Sequence, residues 1–134
     1  MSNARDLCAM PTWAWHGHAG HFICASRCLF HLLTTVGARV VSTVGDFYPA
    51  LRNDDLGPRE AMNGVGPDGV RYYFESKVFG LAGRHECGCP EVGDVVLESR
   101  YYQSAEEATA GHLALCYAQA EQQRRREMTK KRKK

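Results

Sequence analysis

Between residues 28 and 44 apolar and β-branched positions run almost without a break, in CLFHLLTTV (28–36) and RVVSTV (39–44), interrupted only by Gly37-Ala38. Two such runs joined by a two-residue link containing Gly predict a β-hairpin. Along the first strand Cys28, Phe30, Leu32 and Thr34 share one face, and Leu29, His31, Leu33 and Thr35 share the other. Both faces are largely apolar, which predicts an inner strand. From Gly45 to Gly69 the pattern dissolves: Pro49, Pro58 and Pro67 with Gly57, Gly64 and Gly66 stand among polar residues. This predicts a connector, in which only YPALRN or PREAMN could form a short helical turn. Pro67-Asp68-Gly69 signals a turn, because Pro presets one dihedral and Gly accepts positive φ. VRYYFESKVF (70–79) then predicts a third strand, GLAGRHECGCPEVG (80–93) a second turn-rich piece, and DVVLESRYY (94–102) a fourth strand.

The pattern then changes period. Ser104 followed by Glu107 is a capping box, and Glu106 with Glu107 complements the dipole of a helix starting at about Ala105 and running into the Arg124–Arg126 region. Two apolar faces follow at helical spacing, Ala108/His112/Leu115/Cys116/Gln119 and Ala110/Leu113/Ala114/Tyr117, and together they predict a broad stripe packed against the sheet. The expected fold is α+β: an antiparallel sheet of about four strands packed against one long C-terminal helix.

With 134 residues, 44% of them hydrophobic, the chain is of one-domain size and can bury a core without disulfides or metal. No apolar run approaches the ~18 residues that span a bilayer, and the start, MSNARDLCAMPTWAW, lacks a secretory signal. A soluble protein in a reducing compartment, with no membrane partner, is the expectation, and six cysteines there read as metal ligands or buried small residues rather than disulfides. The net charge of +2 hides an asymmetry. Residues 124–134 carry eight Lys/Arg and one Glu, which leaves nine basic and fourteen acidic residues in 1–123. The division is therefore a single domain over 1–123 and a basic tail over 124–134, its last residues frayed. Arg124, Arg125, Arg126, Lys130, Lys131, Arg132, Lys133 and Lys134 would attract phosphate in a salt-sensitive way, so nucleic acid is a candidate partner through the tail, against a solvated extension as the alternative.

The stretch HGHAGHFICASRCLFH (16–31) gathers four histidines and two cysteines, and zinc favours thiolate and imidazole in tetrahedral sets of four. Cys24 and Cys28 with His21 and His31 form a first candidate zinc set. Against it, no Cys-x-x-Cys knuckle is present, and a strand starting at Cys28 would send Cys28 and His31 to opposite faces. The competing reading makes Cys24 and Cys28 buried small residues, His31 a satisfied strand histidine and the other histidines solvated. A second candidate set combines Cys87 and Cys89 with His112 and Cys116, which are four apart and share a helix face. It would fasten the 80–93 loop to the helix as a closed structural site; the alternative places His112 and Cys116 in the helix–sheet core. A Cys/His nucleophile drawn from Cys24 or Cys28 lacks a demonstrable base and oxyanion site, and no phosphate loop or dinucleotide fingerprint is present, so catalysis is disfavoured.

Two stretches, GHFICASRCLFHLLTTVGARVVSTVGDFYP (20–49) and YYFESKVF with CGCPEV and ESRYYQSAEEATAGHLALC (72–116), resemble small proteins encoded by tailed bacteriophages and prophages. The shared features are the VSTVG strand, the aromatic-Glu strand and a C-terminal AxxAxxGH helix carrying Ala108, Gly111 and His112. The resemblance brings no established activity with it. It implies an accessory protein that binds a host or phage macromolecule in the bacterial cytoplasm, such as an inhibitor of host defence, with a protein as the expected partner. The alternatives are a minor virion component and, third, a Cys/His enzyme.

Overall fold

Gly37 takes φ 58°, a conformation that glycine adopts without steric cost, and this lets the chain reverse in two residues. The apolar runs on either side become β2 (Cys28–Val36) and β3 (Arg39–Phe47), paired from Val36↔Arg39 to Cys28↔Phe47. The computed structural model describes residues 13–15, 27–50, 57–62 and 68–132, the last two by backbone alone. The other elements are β1 (Trp13–Trp15), β4 (Phe74–Arg84), β5 (Pro90–Tyr102) and helix α1 (Ala105–Arg132). The strands form one antiparallel sheet in the order β1-β2-β3-β4-β5, and α1 packs on one face of it, an α+β fold.

The expected inner strand is inner: β2 lies between β1 and β3. The sheet has one strand more than the pattern predicts, since three residues, WAW, are too few to show alternation. β4 and β5 also extend into the piece read as a turn. They continue to Arg84↔Pro90, with register shifts between Val78 and Gly83. Gly80, Gly83 and Gly93, which look like loop signals, fall on this irregular part of the ladder, where bulges bend a strand and increase its twist. At the other end the predicted start at Val70 gives way to a strand starting at Phe74. The described part of the connector contributes a bridge, Phe47↔Glu60, and places Arg59 over the Tyr73 ring, 3.7 Å from its centroid, with its guanidinium 2.8 Å from Asp46.

The centre of the sheet is buried on both faces, while most of β5 is exposed. On the helix side Val36, Val41 and Val78 pack with Leu115, Cys116 and Ala120, and Trp13 closes the edge. On the far side Leu33 and Val40 meet Phe79, Leu81, Cys89 and Val92, so the bulged outer half of the β4–β5 hairpin curls over the centre of the sheet.

Ser104 caps α1 as its sequence predicts. Its hydroxyl accepts the Glu107 N–H at 3.1 Å, while the Glu107 carboxylate accepts the N–H of Gln103, one residue before the cap, at 3.4 Å. Ser104→Ala is expected to cost about 1 kcal/mol in urea unfolding, because it strips an acceptor from a first-turn N–H; an unchanged midpoint would place the start of the helix elsewhere. The far end differs from expectation. Backbone helix continues to Arg132, through the residues expected to fray.

Candidate functional site

Three neighbouring strands each present a small hydroxyl to the helix: Thr34 on β2, Thr43 on β3 and Ser76 on β4. Thr43 and Ser76 are directly paired across the ladder, and their oxygens lie 2.6 Å apart. His112 descends from α1 between them, with Nδ1 2.7 Å from the Thr43 hydroxyl and Nε2 2.9 Å from the Thr34 hydroxyl. A neutral imidazole donates from one nitrogen and accepts at the other, and hydroxyls do either, so the ring is fully satisfied without charge. It is 1% exposed. Burial, and secondarily the charge on His31, holds its pKa down at about 4. One turn on, burial pushes the Cys116 thiol up to about 11, partly offset by a hydrogen bond with Thr34. At neutral pH the pair is therefore an uncharged imidazole and a protonated thiol, and its chemistry is that of a polar lock fixing the register of the helix on the sheet.

The helix is set close to the sheet. An added Cβ at Gly111 would lie within the Tyr102 ring, and one at Gly45 within the Phe74 ring, which packs edge-on against Phe30 with centroids 5.2 Å apart. Further along, the Gln123 carboxamide accepts the Ala38 N–H at 2.9 Å and donates to the Val36 carbonyl at 2.8 Å, tying α1 to the β2–β3 turn. Nothing in the sequence pattern singles out Gln123.

The candidate zinc ligands are distributed as follows. His21 and Cys24 lie outside the described residues. Cys28 and His31 are both buried, and strand alternation sends them to opposite faces of β2. His112 and Cys116 face the helix side of the sheet, whereas Cys89 packs with Leu33 and Val40 on the far side, with Cys87 exposed in the same hairpin turn. The second set of four is thus divided by the sheet, and only its two pairs are brought together. Cys87 and Cys89 interact, and their hydrogen bond raises the Cys89 pKa. Among the described residues no group of three or more His, Cys, Asp or Glu gathers as a metal site.

Of the basic residues, Arg124 and Arg125 both pair with Glu121 on the preceding turn. Arg126 and Lys130 follow on the exposed end of α1. Lys131 and Arg132 continue its backbone, and Lys133 and Lys134 lie outside the described residues.

The two apolar helix faces have different fates, which corrects the expectation that both pack inward. A single sheet buries one stripe, and that stripe is Ala108, His112, Leu115, Cys116, Gln119 and Ala120. Ala110, Leu113, Ala114 and Tyr117 face solvent, Leu113 at 48% and Tyr117 at 66% exposure. A shallow groove lined by Ala105, Glu106, Thr109, Ala110 and Leu113 opens on this side. Beside the helix stand the two tryptophans of β1. Trp13 meets Tyr117 edge-on at 4.9 Å, and Trp15 meets His112 edge-on at 6.2 Å while remaining 63% exposed. Trp15 thus stands exposed beside the polar lock, while Leu113 and Tyr117 lie on the outward side of α1, Tyr117 against Trp13.

No family model, curated protein or solved structure matches the chain. Among the described residues no helix is long and apolar enough to cross a membrane.

Proposed function

We propose that this chain is a phage-encoded accessory protein that acts by binding, with a host or phage protein as its partner and the outer face of α1 as its docking surface. The observation that carries the reading is the exposure of Leu113, Tyr117 and Trp15 together. Large apolar and aromatic side chains left in water on one side of a small domain are characteristic of protein-binding surfaces, and aromatic anchors of this kind supply much of the binding energy. The i, i+3, i+4, i+7 spacing of Ala110, Leu113, Ala114 and Tyr117 makes a continuous stripe with small residues between larger ones, a shape that accepts a partner helix or apolar ridge. The resemblance to proteins of tailed phages supports the phage setting, and with it the bacterial cytoplasm and a target such as a host defence factor.

A different Cys/His pair from the one drawn on Cys24 or Cys28, that of His112 and Cys116, offers no catalytic alternative. A nucleophilic thiol needs a lowered pKa and access, and here the thiol is raised and buried. Replacing Leu113 and Tyr117 together with Glu is expected to abolish retention of the partner by the tagged full-length chain in a bacterial host lysate. Retention at the wild-type level would contradict the reading.

A further inference from the structure

Gln123 fixes where the basic end of α1 begins relative to the sheet. Its side chain holds both Ala38 and Val36, so the residue one turn later, Arg126, passes beside the β2–β3 turn. Arg39 is the first residue after that turn and pairs with Val36, which faces the helix; Arg39 therefore points to the same side. Partial burial, and secondarily the charge of Arg126, lower the Arg39 pKa. Among the described residues neither Arg39 nor Arg126 is paired with a carboxylate, whereas Arg124 and Arg125 are occupied by Glu121. Lys130 lies four residues beyond Arg126 on the same helix face. The inner stripe of α1, buried and uncharged as far as Ala120, thus becomes cationic where it leaves the sheet.

We propose that Arg39, Arg126 and Lys130 form a binding surface for the phosphate backbone of nucleic acid, built jointly by the β2–β3 turn and the end of α1. Like charges held side by side against a sheet are relieved by a polyanion that bridges them, and a repeating row of cations suits a repeating row of phosphates. A membrane surface fits less well. Met128 is the one large apolar residue in 124–134, so this end has no apolar face to insert among lipids. The surface makes no use of Leu113 or Tyr117 and stands independently of the protein-docking face.

The test uses the full-length protein and a fluorescently labelled DNA duplex of arbitrary sequence, with anisotropy titrations between about 50 and 200 mM salt. Binding is expected at low salt, with log affinity falling linearly against log salt. Arg39→Gln and Arg126→Gln should each weaken low-salt binding several-fold and reduce the slope by about 0.9, the loss of one phosphate contact. Arg39→Lys should keep the slope, and Arg84→Gln, beyond the part of β4 that pairs with Arg39 and bonded to the Gly88 carbonyl in the β4–β5 turn, should match the wild type. Absence of binding at low salt would overturn the proposal, as would an Arg39→Gln protein that binds like wild type or an Arg84→Gln protein that loses as much. Binding to phosphatidylserine vesicles without binding to the duplex would overturn it in favour of a lipid surface.

Discussion

Acidification from neutral pH to about pH 4 is expected to cost the fold about 3 kcal/mol through His112. The folded-state pKa of about 4 lies below the ordinary histidine value of 6.5. The unfolded chain therefore binds the proton more readily throughout this window. The stabilisation is fully present above about pH 6.5, declines as the pH falls, and is exhausted at about pH 4. The cause is structural. Protonation would place a charge at a site 1% exposed, where Thr34 and Thr43 supply hydroxyls but no anion. Glu75 acts in the opposite sense, since burial raises its pKa and favours its neutral form at low pH. Urea unfolding of wild type and His112→Gln across this range separates the two, because Glu75 is common to both. The variant should be the less stable at pH 7, and the difference should shrink steadily towards pH 4. Parallel stability curves would show that His112 does not titrate as a buried neutral group.

Gly111→Ala should destabilise the protein, although the same change inside an exposed helix is worth about 1 kcal/mol in the opposite direction. The added methyl falls within the Tyr102 ring, and Tyr102 is held between the end of β5 and the helix it precedes. Overpacking of this kind costs about 1–3 kcal/mol, enough to reverse the propensity gain. Gly45→Ala meets the Phe74 ring in the same way, and there Phe74 cannot retreat without disturbing Phe30. Thermal melts of both variants check this. Tyr102→Leu in the Gly111→Ala background should recover part of the loss, and a Gly111→Ala protein more stable than wild type would mean that helix and sheet are further apart.

Most of the scaffold was readable from local pattern. The β2–β3 hairpin follows from two apolar runs around Gly37, and α1 from Ser104 and Glu107, because these are contacts between near neighbours in sequence. What escaped depends on distant partners. β1 is visible only when Trp13 and Trp15 are laid against Val36 and Thr34. The outer half of the β4–β5 hairpin was hidden by glycines that resemble loop signals and serve on a bulged ladder. At the site, the i, i+4 spacing put His112 and Cys116 on one face, as observed. Thr34, Thr43 and Ser76 carried no such mark, because hydroxyl residues in strands look the same whether they bind a histidine or merely pack. The apolarity of Ala110, Leu113, Ala114 and Tyr117 was legible, but the side they face was not. Hydrophobic periodicity records which residues share a stripe and is silent on whether one sheet has room for two.

That second stripe carries the functional claim. The Leu113→Glu/Tyr117→Glu protein tests it most directly when unfolding free energy and partner retention are measured on the same preparation. If the outer face of α1 is a docking surface rather than part of the core, the loss of stability should stay within about 2 kcal/mol, most of it from the Trp13–Tyr117 edge contact, since neither replaced side chain is buried in the free protein, while the retained partner disappears. A double variant that loses several kcal/mol of stability, or one that keeps its full fold and still retains the same partner, would contradict it.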